Sequence, residues 1–455
     1  MSGQNGYLKD FSKSKSGMAG LVLLVILLGL SVYVLAHYPS NIASTWNDPK
    51  AWQGNPAKAP PSWVEYLGQD APPSINLPSQ QWTNSAPPGS PTYNYSNSYS
   101  FDWTSSKTPS NMVLYPKFTG SMLEAAITWT KPDGQSFVIY VAGPQPNYVY
   151  DVTDPSVIQW IHQFIQTQTG SLQATVTAPQ EMSALFDADG ANILTNPVLH
   201  GTYHVRVDFL SLSQVTISSS TTLTIDGKSY GLMGTDLYGR PIQLGILLGL
   251  PYALELGAVT SVVAVLSGVV FGGISGFVGG KKDGVMQWFT LVFLALPALP
   301  FLIALSYSFT LSLLSEALLI SALSWPFYAI IARSVALSVK SQTYVEADKA
   351  MGVSAIRTFF THFMPRLTPV SIAYTVLGIP AGILLAQTLA FLGIEPPNIV
   401  TWGGILDEAF VQQAALFGWW WWVFFPGLMI VVVAVPFVLV GFALDKIVAP
   451  KVNAK

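Results

Sequence analysis

Between residues 344 and 366 the chain reads YVEADKAMGVSAIRTFFTHFMPR, and long apolar runs lie on both sides of it. Glu346, Asp348, Lys349, Arg357 and Arg366 exclude this stretch from hydrocarbon, where a charge near the bilayer centre costs roughly 2.5–3.5 kcal/mol even on a lenient scale. It is therefore a polar connection between two membrane spans. Val345, Met351, Ile356, Phe359, Phe360 and Phe363 recur at three- and four-residue intervals, which makes the connection helical. Gly352 and Pro365 interrupt the pattern. The expectation is a short helix, a glycine bend, a second short helix and a proline stop.

Half of the 455 residues are hydrophobic and only 10% are charged, a balance of a polytopic membrane protein with a sizeable polar insert. No basic cluster suits a nucleic acid, so none is expected as a partner. The absence of cysteine removes disulfides, thiolate metal sites and thiol nucleophiles. The first span falls at 18–36, behind Lys9, Lys13 and Lys15, and its length favours a retained helix over a cleaved signal segment. From 38 to about 230 no run is long enough to cross. Residues 39–100, with Pro60-Pro61, Pro72-Pro73 and Pro87-Pro88, read as an extended segment with little regular structure. From Met112 onward β alternation takes over. Residues 126–142 form two strands around a Pro-Asp-Gly turn, Asp226-Gly227 repeats the device, and 202–210 alternate as one strand. Asp154-Pro155 opens a helix whose buried stripe is Val157, Ile158, Ile161, Phe164 and Ile165, ending at Gly170.

Five further spans follow. The second lies within 242–277, and Gly268, Gly272, Gly276 and Gly280 form a stripe that admits another backbone. The third covers about 285–307, with kinks at Pro297 and Pro300, and the fourth about 311–331, ending before Arg333. The fifth covers about 369–391. The sixth starts beside Trp419–Trp422, suited to an interface belt, and leaves at Asp445 and Lys446. A cytoplasmic N-terminus puts 13 of the 21 Lys and Arg residues on the inside, in short loops and tails, which is the orientation that positive-inside bias selects.

The fold expected is thus a polytopic α-helical membrane protein of six transmembrane helices, with a β-rich (α+β) extracellular domain between the first and second. Its divisions are a cytoplasmic tail at 1–17, a helix at 18–37, the outer domain at 38–233, a five-helix domain at 234–446 with its polar connection at 340–368, and a cytoplasmic tail at 447–455. Within the spans, Glu255 and Glu316 are candidate pathway residues, since intramembrane carboxylates are expensive. His200 and His204 lie in a turn and strand without a carboxylate trio, so no metal site is expected. Asp187, Asp189, Gly190 and Asn192 hint at a calcium loop, but Asn192 and Val198 stand where an EF-hand needs Gly and Glu. SGFVGGKK at 275–282 fails as a phosphate loop, because Ser275 replaces its first Gly and Lys282 its Ser or Thr.

The polar connection resembles the EAA loop of ABC importer permeases. Glu346, Ala347, Asp348, Gly352 and Pro365 keep that signature's spacing, while Asp348 replaces its second Ala, and His362 and Met364 replace Ile and Leu. The His is similar to the dipeptide/oligopeptide class. Gly234, Thr235, Asp236, Gly239 and Arg240 resemble a phrase preceding the second span in that class, with Pro241 in place of Asp. Phe391, Leu392, Gly393, Pro396, Pro397, Trp402 and Gly403 resemble a later one. The resemblance implies alternating access in a plasma or inner membrane. It implies a second related permease, two cytoplasmic ABC ATPases that dock on the 344–356 helix and bind ATP and Mg, and an extracellular solute-binding protein. Membrane lipid surrounds the spans. This chain itself would carry no nucleotide site, cofactor or catalytic residue. The outer insert departs from the class in its length. A membrane-anchored receptor with a ligand-binding ectodomain, and a channel, are the alternatives.

Overall fold

The computed structural model describes residues 11–39, 41–52, 54–68, 71–72, 74–79, 81–85, 92–152, 154–169, 178–187, 197–219, 221–306 and 312–448. Lys9, Pro73, Pro87, Pro88, Gly170, Asp189, Gly190, Asn192, Tyr307, Lys451 and Lys455 lie outside them. Two compact units emerge, residues 48–243 and a helical unit formed by 1–47 with 244–455.

The first unit is the β-rich one. Strands β1 (Ile75–Pro78), β2 (Thr83–Asn84), β3 (Tyr93–Trp103), β4 (Asn111–Tyr115), β5 (Phe118–Thr119), β6 (Glu124–Thr130), β7 (Ser136–Ala142), β8 (Tyr150–Asp151), β9 (Gly201–Ser211), β10 (Thr216–Ile217) and β11 (Thr222–Asp226) pair antiparallel. They make a five-stranded sheet ordered β2-β3-β9-β6-β7, a four-stranded sheet ordered β1-β11-β4-β8 and a two-stranded ribbon. One core serves both large sheets. Phe101, Trp103, Trp129 and Tyr203 come from the five-stranded sheet, Met112, Leu114, Leu223 and Ile225 from the other. The 155–169 helix buries Val157, Ile161 and Ile165, as its spacing requires, and leaves Ile158 and Phe164 half-buried.

Two expectations fail here. The 39–100 stretch is not merely extended, because β3 starts at Tyr93 and pairs with β9 along its whole length. Asp226-Gly227 does not turn a hairpin. The chain beyond it finds other acceptors, with Lys228 N bonded to Pro72 O and Tyr230 N to Pro60 O, so the proline-rich segment takes the place of a return strand.

In the helical unit, α1 (Lys15–His37) opens at Ser14, whose hydroxyl caps Gly17 N. The others are α2 (Ile42–Trp46), α5 (Ile242–Val278), α6 (Gly280–Ala295), α7 (Ala298–Ser306), α8 (Leu313–Lys340), α9 (Thr343–Ala350), α10 (Ala355–Thr358), α11 (Met364–Phe391), α12 (Trp402–Val411) and α13 (Trp420–Val448), with α3 (Pro155–Thr169) and α4 (Ala178–Phe186) in the β-rich unit. Among the described residues five helices are long and apolar enough to cross a membrane, and the count reaches six if α6 and α7, bent by 78°, make one broken span. The expected third span is therefore split at Leu296-Pro297, where proline removes a donor and clashes with the preceding turn.

Glycine sets the helix spacing. A Cβ on Gly268 would stand 2.6 Å from Trp325 O, on Gly272 2.0 Å from Ala329 O, and on Gly276 2.8 Å from Arg333 O. Three members of the expected stripe thus seat α8 against α5. Gly280 does not belong to it. Gly279 and Gly280 both have positive φ and break the helix, so the stripe ends one turn early. Trp421 and Trp422 are buried in the protein, which corrects an interface belt of four tryptophans.

Candidate functional site

The polar connection folds as a stapled pair of helices. Gly352, at φ +75°, reverses the chain after α9, a conformation that costs glycine no steric strain. Ser354 then caps α10 by accepting from Arg357 N at 3.4 Å. Asp348, on α9, accepts from Thr358 Oγ1 at 3.1 Å and lies 3.0 Å from His362 Nε2. Tyr344 packs on the His362 ring, with centroids 4.9 Å apart. The staple links the two helices across the bend.

The expected proline stop is absent. Residues 359–363 wind as a π-turn, and Pro365 sits in the first turn of α11, where its missing N–H is tolerated. The second helix therefore continues into the fifth span, and 355–391 form one 37-residue helix. The α8 helix likewise runs past the expected end to Lys340.

Burial divides the connection into a root and a face. Val345, Thr358 and Phe363 are buried, and Phe277 of α5 meets Phe359 and Phe363 edge-on at 5.3 and 4.9 Å. Met351, Ile356 and Phe360 are 72%, 74% and 63% exposed, and Glu346, Ala347, Gly352 and Pro365 are exposed beside them. Apolar side chains on a polar loop that face away from their own core form a surface made for contact.

Beside this root lies a polar clamp that the sequence reading missed. Asp283 Oδ1 accepts from Ser275 Oγ at 2.6 Å and from Arg333 Nε at 2.8 Å, and Oδ2 from Arg333 Nη2 at 2.6 Å. Lys340 Nζ adds a bond to Val278 O at 3.0 Å. The ends of α5, α6 and α8 are thereby joined. The only sequence signal was an Arg and an Asp at the ends of neighbouring apolar runs.

The two carboxylates expected in the spans part company. Glu316 is buried and accepts a short hydrogen bond from the Tyr252 hydroxyl, while Glu255 is exposed. A cavity of about 420 Å³ opens among α5, α8, α11 and α13, with Thr260, Ser324, Phe327, Tyr328, Tyr374 and Phe442 in its wall. Neither carboxylate lines it.

The remaining motif residues act as pins. In the β-rich unit Asp236 Oδ1 accepts from Tyr238 N and Arg240 N, and its Oδ2 pairs with Arg240 Nε. Thr235 Oγ1 donates to Pro56 O and accepts from Ala59 N. Gly234 and Gly239 hold positive φ. In the helical unit Trp402 is fully buried and donates to Ile246 O at 3.0 Å. Gly403 N donates to Gln387 Oε1 at 2.7 Å, and a Cβ there would stand 2.2 Å from Gln387 O. Leu392 and Gly393 end α11, Phe391 meets Phe410, and Pro397 is exposed. Each phrase holds the fold of its own unit.

Residues 268–454, which contain the stapled connection and the clamp, match the family described as the binding-protein-dependent transport system inner membrane component. A probable D,D-dipeptide transport system permease protein of Escherichia coli (strain K12) is 31% identical over 224 residues, covering 49% of this chain and 74% of that protein. The chain belongs to this permease family. Two oligopeptide transport system permease proteins are also similar. That of Haemophilus influenzae (strain ATCC 51907 / DSM 11121 / KW20 / Rd) is 31% identical over 43% of this chain and 62% of its own length. That of Bacillus subtilis (strain 168) is 29% identical over 48% and 72%. The family is the transmembrane component of ABC importers, so the permease is a multi-pass membrane subunit. Among its described residues no three His, Cys, Asp or Glu side chains gather as a metal-binding group.

Proposed function

We propose that this permease imports peptides by alternating access, with the stapled 343–363 connection as its coupling element. Relatives named for dipeptide and oligopeptide transport support the cargo class. The observation that carries the coupling reading is the exposed Met351, Ile356 and Phe360 face on a stapled helix pair whose root packs on α5 and α8. Two cytoplasmic ABC ATPases, holding ATP and Mg, press on that face. A second related permease completes the path, and a solute-binding protein delivers cargo to the opposite side. Both termini then lie in the cytoplasm and the β-rich unit outside, the orientation favoured by basic residues concentrated in short loops. The 420 Å³ cavity supplies part of the path.

Co-purification of the ATPases and uptake of labelled oligopeptide test this reading. Glu346→Lys reverses a charge on the exposed face, and Gly352→Pro forbids the φ +75° bend. Both variants are expected to reach the membrane yet lose ATPase association and uptake. Retention of both activities refutes coupling through this loop. A receptor would purify without any ATPase from native membranes, which separates it from the transporter.

A further inference from the structure

The four-stranded sheet of the β-rich unit has two unlike faces. Met112, Leu114, Leu223 and Ile225 point into the aromatic core. Alternation therefore turns Asn111, Val113 and Tyr115 to the other side, where register sets Asp226 opposite Asn111 and Asp151 opposite Val113. Thr224 and Asn76 share this side, joined by a 2.9 Å hydrogen bond. This second face is polar, yet it is sealed. Val113 and Asp226 are 0% and 1% exposed. A Cβ on Gly54 would stand 1.8 Å from the Tyr115 hydroxyl, so the proline-rich segment lies directly over it.

Within this sealed layer the Asp226 carboxylate has no hydrogen-bond partner on either oxygen among the described residues. Its own carbonyl is occupied by Ser110 N and Oγ at 2.8 and 3.0 Å, which fixes the strand end and leaves the side chain unsatisfied. The Ser229 hydroxyl, three residues on, is equally buried and unpartnered. Buried polar groups almost always have partners, and an ionised one left alone is far costlier still. Burial, and then the Asp151 charge, push Asp226 up to about 8. Burial and the same two aspartates raise the Tyr115 hydroxyl to about 12. No histidine lies on β1, β4, β8 or β11 and the chain has no cysteine, and Asp151 Oδ2 already accepts from Asn111 Nδ2, at a long 3.5 Å.

We propose that Asp226 and Asp151 hold a hard divalent cation of the calcium class, with neutral oxygens such as the Tyr115 hydroxyl completing the donor set. Two carboxylates match one divalent charge, and the cation gives both orphaned Asp226 oxygens a partner. Calcium accepts irregular oxygen shells at about 2.3–2.6 Å, whereas magnesium demands a near-ideal octahedron, which a sheet face with a covering loop does not present. The site belongs wholly to the β-rich unit and does not depend on the transport reading.

The test uses the full-length protein in detergent, stripped with EDTA and titrated with CaCl₂, MgCl₂ or TbCl₃. Calcium is expected to raise the thermal midpoint by several degrees, magnesium much less. Terbium should give saturable luminescence sensitised by Tyr115 and displaced by calcium. Asp226→Asn should abolish both responses, and Asp151→Asn should weaken terbium binding at least tenfold. Asp226→Asn replaces an unsatisfied buried carboxyl with a neutral amide of the same shape, so in EDTA it should melt at or above wild type, which separates lost binding from lost folding. The proposal is overturned if wild type ignores calcium and terbium, leaving Asp226 a protonated carboxyl, or if Asp226→Asn keeps the full response.

Discussion

The seam between α5 and α8 makes a quantitative demand on Gly272. A Cβ built there meets Ala329 O at 2.0 Å, Ala329 C at 2.7 Å and Ala329 Cα at 2.8 Å, all backbone atoms that cannot swing aside. Restoring even a 3.0 Å contact means separating the helices by 1.0 Å, the difference between 3.0 and 2.0. That movement also opens the close contacts at Gly268 and Gly276, and a gap of 0.5–1 Å forfeits roughly a quarter to a half of each dispersion contact. Overpacking of this kind costs about 2–3 kcal/mol, toward the upper end of its usual range. Alanine recovers about 1 kcal/mol of helix propensity. The net loss for Gly272→Ala is about 1–2 kcal/mol, a fall in thermal midpoint of roughly 2–8 °C for a unit of this size. Gly284→Ala is the matched control, since its Cβ would meet nothing within 4 Å. It should melt at or above wild type. Thermal unfolding of the three proteins in one detergent decides the matter. If Gly272→Ala melts with or above Gly284→Ala, the backbone seam is not the contact described.

Three further outcomes follow from particular contacts. Arg240→Met strands the Asp236 carboxylate in a buried site and should cost about 3–5 kcal/mol, much of it restored in the Asp236→Asn/Arg240→Met double variant; limited proteolysis of the β-rich unit reads both. Burial raises Asp187 to about 7, with the Lys131 charge opposing. Its folded value lies above the unfolded one, so its contribution is complete below about pH 4 and is lost as pH rises through about 7. Asp187→Asn should flatten that part of a urea-midpoint profile, and an unchanged slope would contradict the assignment. Asp348→Ala removes the acceptor shared by Thr358 and His362. It should expose the 351–356 bend to protease and lower uptake several-fold, with the thermal midpoint of the chain unchanged.

The spans were legible because a hydrocarbon layer reads only length and polarity, and both are written in the sequence. Their ends were not. Arg333 looked like a membrane exit, yet Asp283, itself held by the Ser275 hydroxyl, neutralises it and α8 runs two further turns to Lys340. Pro297 announced a kink but not its 78°, which depends on what α6 and α7 pack against. The β-rich unit shows the same limit from the other direction. Strands with clean alternation were found, while Asp226-Gly227, a good turn by local chemistry, lost to the distant carbonyls of Pro60 and Pro72. Local preference proposes; the partner that arrives from far along the chain decides.

That rule also explains the site. Asp348 and His362 stood out as two unrelated departures from the EAA pattern, each a small or apolar position turned polar. In three dimensions they face each other across the Gly352 bend, 3.0 Å apart, with Thr358 held between the same helices. Together they make a cross-bend tie. The tie matters because α10 is not separated from the fifth span by Pro365 but runs into it through the π-turn. Pressure on the exposed Met351, Ile356 and Phe360 face is therefore applied to one end of a continuous 37-residue helix. The staple makes α9 move with that end, and α8, which leads into α9, carries the Arg333 half of the Asp283 clamp. On the coupling reading proposed above, a push on the loop would reach α11 directly and α5, α6 and α8 through the clamp.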